Sequence, residues 1–198
     1  MCIVHRQVCG ISLRLITEEN ALYHSQTDDD LPFPAPFWGF VWPGGLGLTT
    51  CITTNPDLFR HQRVLDMGSG CGISSIAAAL AGASHVVAND ICPFAHEALL
   101  LNMELNNSIP NGVISFHQEN KLVKSKEYFD QYDIIMCGDM LYDADFSLQL
   151  KKSLCQHKID GHIWRSPAHL LSTRAGLVKW VVGELLMIIS EMVLQGRH

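Results

Sequence analysis

Two periodicities alternate along this chain. Residues 11–16 alternate apolar and polar positions and predict a short strand. Residues 63–67 form a short apolar run, and residues 73–81 (Ile-Ser-Ser-Ile-Ala-Ala-Ala-Leu-Ala) read as a helix of small side chains closed by Gly82. A second apolar run, 85–89, ends at Asp90, and Pro93 then opens a helix over 94–106 with Ala98, Leu101 and Leu105 in its stripe. A third strand is predicted over 113–117 and a fourth over 132–137, separated by a polar segment with room for a short helix. Residues 145–155 read as another helix. Strands alternating with helices over 63–155 predict an α/β fold with a doubly wound parallel sheet. Ligands of such sheets bind beyond the carboxyl ends of the strands. The chain's polar landmarks fall there: Asp66 with its glycines, Asp90, the 118–120 segment and the stretch from Asp139 to Tyr142.

The first of these landmarks is the most informative. Gly68, Gly70 and Gly72 follow Asp66 at alternate positions, between a strand and a helix. Glycines there let the backbone approach a ligand closely. The dinucleotide fingerprint would space them G-x-G-x-x-G; here the spacing is G-x-G-x-G, with a carboxylate two residues before the first glycine. A carboxylate suits a cationic ligand better than a pyrophosphate. Asp90 stands 20 residues beyond Gly70 and ends the second strand, where it can accept hydrogen bonds from a ribose diol. A cationic adenosine derivative meets both demands, and S-adenosylmethionine is one.

Upstream, residues 37–45 (Phe-Trp-Gly-Phe-Val-Trp-Pro-Gly-Gly) precede an amphipathic stretch. By spacing alone, this is equally a core plug under a helix start or an aromatic wall beside a ligand. The acidic run Asp28–Asp29–Asp30 with Pro32, Pro34 and Pro36 reads as a solvated turn rather than a metal site.

Composition narrows the classes. A chain of 198 residues suits one domain, and its formal net charge of −6 argues against a general nucleic-acid binder. Seven cysteines, scattered and without a C-x-x-C pair, predict small buried hydrophobes in a reducing compartment rather than disulfides or a zinc site. Residues 1–17 carry His5, Arg6 and Arg14 and no acid; this is compatible with a mitochondrial presequence, but composition favours a plain N-terminal strand. The long apolar run 177–194 is interrupted by Lys179, Glu184 and Glu191, which argues against a membrane span.

The motifs D-x-G-x-G-x-G at Asp66–Gly72, Ala-Asn-Asp ending the second strand, and an acidic end to the fourth resemble the seven-strand, S-adenosylmethionine-dependent methyltransferases. Trp42-Pro43-Gly44-Gly45 and Gly138-Asp139-Met140-Leu141-Tyr142-Asp143 further resemble the group of protein lysine methyltransferases acting on the β subunit of electron transfer flavoprotein. The resemblance covers roughly residues 11–156. It implies a Rossmann-like seven-strand fold, S-adenosylmethionine as cofactor, a protein lysine as methyl acceptor, and the mitochondrial matrix as location, with the cytoplasm as the alternative. It implies that Trp42 flanks the cofactor, that Gly68 and Gly70 receive its methionine part beside Asp66, that Asp90 holds the ribose and that Asn120 meets the adenine. Asp139 and Tyr142, of a D-x-x-Y motif, would border the lysine channel. Read chemically, Asp139 attracts and orients an ammonium; its bland alternative is a turn cap. Where base- and glutamine-methylating enzymes carry two prolines, this chain has Met140-Leu141, which again disfavours nucleic acid. A monomer is expected.

The resemblance stops near residue 157. The expected organisation is a methyltransferase domain over 1–157, with an N-terminal strand and aromatic segment over 1–60 and a cofactor-binding core over 61–157, followed by a divergent tail over 158–198. Residues 177–195 are predicted to form one helix, leaving the sheet incomplete after its fourth strand, which then lies at an edge unless the tail covers it. A methyltransferase of another protein, such as a ribosomal protein, or of a small amine, and an inactive cofactor-binding remnant, are the competing readings.

Overall fold

A parallel four-stranded sheet forms where strand and helix patterns alternate in the sequence. The computed structural model describes residues 4–24, 35–121, 124, 126–138, 149, 177–182 and 185–190. The strands β1 (Val4–Val8) and β2 (Ile11–Leu15) pair as an antiparallel hairpin. Helix α1 (Pro43–Thr54) follows, then β3 (Arg63–Met67), α2 (Ile73–Leu80), β4 (His85–Asp90), α3 (Pro93–Met103), β5 (Ile114–Gln118), the single turn α4 (Lys126–Phe129) and β6 (Ile134–Cys137). The sheet order is β5-β4-β3-β6, all parallel. The order reverses at β3, so the switch point of the sheet lies between β3 and β6, at the mouth of the glycine loop.

Burial explains the order. Central β3 carries Val64, Leu65, Asp66 and Met67 all buried, as a strand covered on both faces must. Helix α2 is Ala-rich because it has almost no room: seven of its residues are buried, Ile73 through Ala79. Ile11 and Leu13 of β2, Leu48 and Ile52 of α1, and Leu99 of α3 close the core around it. Each such aliphatic side chain contributes about 1.5–3 kcal/mol when fully buried.

The hairpin is tied down by two asparagines, Asn102 on α3 and Asn106 just beyond its end. Asn102 Oδ1 accepts the Arg14 N–H at 2.7 Å while its Nδ2 donates to the Cys71 carbonyl at 2.8 Å. Asn106 accepts the Ser12 N–H at 3.1 Å and donates to the Ser12 carbonyl at 2.8 Å. These side chains satisfy backbone groups of β2 that its partner strand leaves open. The hairpin turn falls at Cys9 and Gly10, with φ of 51° and 81°, the pair of positive values a two-residue turn of this kind requires.

Two expectations need correction. The fourth strand of the parallel sheet starts at Ile134, not Tyr132, because Asp133 is used as a clamp. Its carboxylate accepts the Arg63 backbone N–H at 2.8 Å and two guanidinium bonds at 3.1 and 3.0 Å. The helix expected in the tail is replaced by strands β7 (Leu177–Val182) and β8 (Leu185–Ser190), paired antiparallel from Val182↔Leu185 to Leu177↔Ser190. The physical reason is legible in retrospect. Val178, Val181, Val182, Ile188 and Ile189 are β-branched, and Gly183-Glu184 between the two runs is a hairpin signal. Strand β8 lies beside β6 and near α1, without joining the parallel ladder. The parallel sheet itself has four strands, so a seven-stranded sheet is not present among the described residues.

Several expectations fall outside the described residues: the acidic turn at 28–30, Asp139 and Tyr142, the helix over 145–155 apart from Gln149, and residues 158–176 of the tail. Among the described residues no helix is long and apolar enough to cross a membrane. Cys71 and Cys137 are buried as expected, whereas Cys9 is exposed in its turn.

Candidate active site

The glycine loop leaves β3 and is pinned to β4 before α2 begins. Ser69 N–H donates to the Asn89 carbonyl at 2.9 Å and Gly70 N–H donates to Asp90 Oδ2 at 3.0 Å. Gly72 N–H closes the turn on the Ser69 carbonyl at 2.8 Å. Gly68, Gly70 and Gly72 all have positive φ, at 67°, 53° and 81°. Two of them serve different ends. A Cβ on Gly70 would meet nothing within 4 Å, so open space faces that position, whereas one on Gly72 would run into Leu99 of α3. Gly72→Ala should therefore lower stability by about 3 kcal/mol, from a left-handed backbone and an overpacked helix contact. The urea midpoint measures this; an unchanged midpoint would show that the α2–α3 contact yields freely.

Asp66 lies beneath the loop, 2% exposed. Ser75 Oγ, in the first turns of α2, donates to its Oδ2 at 2.6 Å. Burial pushes the carboxyl up to about 7, and the charge of Asp90 adds to the rise while the Ser75 hydrogen bond opposes it. No lysine, arginine or histidine pairs with Asp66 among the described residues. Burial also raises the neighbouring Cys71 and Cys137 thiols, to about 11 and about 12, with the Asp66 charge contributing at both. The consequence for stability has a definite sign. The unfolded carboxyl loses its proton near 3.8 and the folded one near 7, so the unfolded chain holds fewer protons between those values. Stability from this group is complete below about pH 4 and falls as pH rises through 7, by up to about 4 kcal/mol. Asp66→Asn should flatten that slope in urea unfolding at pH 5 and pH 8; an equal slope in both proteins would contradict it. A cation placed beside Asp66 would hold it ionised.

Asp90 ends β4 with both oxygens engaged: Oδ2 accepts Gly70 N–H, and Oδ1 accepts Cys92 N–H at 2.9 Å. Each oxygen retains acceptor capacity beyond that one bond. Next to it, buried Asn89 donates to the His117 carbonyl at 2.7 Å and the Glu119 carbonyl at 2.8 Å, fixing the chain as it leaves β5. Asn120 follows on that turn and is exposed. Asp66, Gly68, Gly70, Asp90 and Asn120 thus share one rim of the sheet.

Trp42 is the N-cap of α1 and is 43% exposed, so it is no core plug. Its indole N–H donates to the Phe37 carbonyl at 2.9 Å, and its ring lies 5.9 Å from Phe37 and 6.0 Å from Phe40. Trp38 takes the packing role instead, stacked 5.9 Å from Phe94 at the start of α3. The first turn of α1 reaches the same rim. A Cβ on Gly45 would lie 3.7 Å from Ile73 Cγ2, and one on Gly138 would lie 3.4 Å from Gly45 N. Gly138 is buried and immediately precedes Asp139 in the chain. Asp139 and Tyr142 themselves lie outside the described residues.

Sequence reasoning missed Ser69, Ser75, Asn89 and Asn102. Ser75 and Asn89 carried a signal: each is a polar residue inside an otherwise apolar helix or strand that the fold buries. Ser69 Oγ is buried and has no hydrogen-bond partner among the described residues. An orphaned hydroxyl in the loop, a buried carboxyl beneath it with no cationic partner among the described residues, and open space at Gly70 fit a ligand that brings its own polar and cationic groups.

The chain matches the family described as ribosomal protein L11 methyltransferase (PrmA) over residues 49–152, more than half of its 198 residues. It is 43% identical to the electron transfer flavoprotein beta subunit lysine methyltransferase of Danio rerio, over 67% of this chain and 49% of that protein. The Homo sapiens protein of the same name is 40% identical over 73% of this chain and 52% of that protein. The Caenorhabditis elegans homolog is 39% identical over 78% and 66%. The chain thus spans between about half and two thirds of the length of these curated relatives. The match over residues 49–152 takes in the glycine loop and all four strands of the parallel sheet, and the chain belongs to the ribosomal protein L11 methyltransferase (PrmA) family.

Proposed function

We propose that this chain is an S-adenosylmethionine-dependent protein-lysine N-methyltransferase whose substrate is the β subunit of electron transfer flavoprotein, acting in the mitochondrial matrix as a monomer. The observation that carries the cofactor is the pinned loop between Asp66 and Asp90, with the orphaned Ser69 hydroxyl at its centre. The names of the relatives support lysine and this substrate.

When bound, S-adenosylmethionine supplies a methyl group on a sulfonium, an electrophile with a neutral leaving group. The protein's contribution is then alignment. Gly68 and Gly70 admit the methionine part, with Asp66 ionised by the cation nearby. Asp90 accepts from the ribose hydroxyls, and Trp42 closes one flank. Asp139 draws in the substrate ammonium, and the apolar Met140 and Leu141 with Tyr142 desolvate it, lowering the amine's pKa so that the neutral form reacts. The family's own description favours one second reading, a ribosomal protein as the acceptor.

Calorimetric titration of the chain with S-adenosylmethionine tests the cofactor. Saturable one-to-one binding is expected. Absence of saturable binding would remove both methyltransferase readings.

A further inference from the structure

Lys121 is the anomaly of the described rim. Its side chain is fully buried, with no exposed surface. The ammonium pairs with Glu119, donates to His117 Nδ1 at 3.2 Å and stands 4.6 Å from the centre of the Tyr128 ring. Lys124 grips the other oxygen of Glu119 at 2.6 Å and lies 5.6 Å from the same ring. Tyr128 is held in turn by a hydroxyl contact with Tyr132 at 3.0 Å.

Burying an ammonium costs several kcal/mol before its partners compensate, and a methionine would fill the same space without that cost. A purely structural filler therefore does not explain the charge. What the charge does is visible from its partners. Glu119 and His117 flank Gln118, and their carbonyls are the two acceptors of Asn89. Asn89 in turn accepts Ser69 N–H of the glycine loop through its own carbonyl. The Lys121 cluster thus clamps the 118–120 turn from outside, while Asn89 clamps it from inside. The paired lysines hold the Glu119 carboxyl down at about 2, and burial, followed by the Lys121 charge, lowers the His117 imidazole. Glu119 is thereby held ionised, and His117 is biased toward the neutral ring that accepts from Lys121.

We propose that Lys121 is a positioning residue: its buried ammonium fixes the 118–120 turn so that Asn120 reads the edge of the adenine. This rests on the cofactor reading above. An asparagine amide can donate to and accept from the amino edge of adenine, and a base bearing a 6-oxo group reverses that pattern. Discrimination between the two bases then depends on how firmly the turn is held, as for any polar group held by supporting contacts.

The test is titration of the full chain with S-adenosylhomocysteine and S-inosylhomocysteine, in wild type, Lys121→Met and Lys124→Met. The wild type should prefer the adenine ligand by about tenfold, the worth of one or two hydrogen bonds. In Lys121→Met that ratio should fall to about two or less, while the affinity for the inosine ligand changes little. Lys124→Met, which keeps the buried lysine and removes the outer partner of Glu119, should lower the ratio part-way, and it decides the matter should Lys121→Met not fold. A wild-type ratio of one, an unchanged ratio in Lys124→Met, or an equal loss for both ligands in Lys121→Met would overturn the proposal while leaving the cofactor reading intact. A wild type that binds neither ligand would overturn the cofactor reading itself.

Discussion

Asp90→Ala should weaken S-adenosylmethionine binding by about a hundredfold, the worth of two hydrogen bonds to a charged acceptor at about 1.5 kcal/mol each. The geometry makes this the most damaging single change to the cofactor side of the rim. The carboxylate holds Gly70 N–H at 3.0 Å and Cys92 N–H at 2.9 Å, and in the proposed role it also accepts from the ribose diol. Alanine removes the acceptor and also frees the loop, so pre-organisation is lost with the contacts. Asp90→Asn separates the two effects. Its amide oxygen can still accept one backbone N–H, so its loss should be smaller. Calorimetric dissociation constants for the three proteins give the comparison, and an affinity in Asp90→Ala within threefold of wild type would show that the ribose lies elsewhere.

Asp139→Ala should leave cofactor affinity within about twofold and reduce methyl transfer by about a thousandfold, within the range for losing a positioned charge that guides a proton-bearing group. The argument is chemical and topological. Gly138 is the first residue past β6, buried against the first turn of α1, and Asp139 is the next residue in the sequence. A lysine arrives protonated and needs a carboxylate to bring it in. The two variants form a pair with opposite signatures: one loses the cofactor, the other loses transfer alone. Single-turnover transfer with saturating cofactor measures the second, and equal loss of cofactor affinity in both variants would show that the roles are misassigned.

Much of this architecture was legible before any coordinates. The glycine spacing, the acid two residues before it and the acid ending the next strand placed Asp66, Gly70 and Asp90 on one rim, because strand ends and ligand sites coincide in parallel sheets. What the linear pattern could not show was which polar groups are spent on one another. Asp66 reads as a counter-charge for a ligand; the fold buries it and gives it Ser75, nine residues away across the loop. Asp133 reads as a strand residue, and the fold uses its carboxylate to anchor Arg63 at the start of β3. Lys121 falls in a segment that reads only as polar, and the fold closes Tyr128 and Glu119 over it. Only the Asp133–Arg63 pairing joins residues far apart in sequence, yet in all three cases periodicity carries no information about which side chains meet.

The tail failed for a different reason. A continuous apolar run satisfies a helical stripe and a pair of buried strands equally, and periodicity alone does not separate them. The discriminating feature was composition: β-branched residues on both sides of Gly183-Glu184. These strands place β8 beside β6, the last strand of the parallel sheet, without extending its ladder.

The most direct test of the central claim is transfer itself. The full chain is incubated with methyl-labelled S-adenosylmethionine and purified β subunit of electron transfer flavoprotein, and the labelled peptides are read by mass spectrometry. The account predicts label on lysine side chains of the β subunit, abolished by Asp139→Ala. Label on another residue type, or none on the β subunit while a ribosomal protein is labelled under the same conditions, would contradict it.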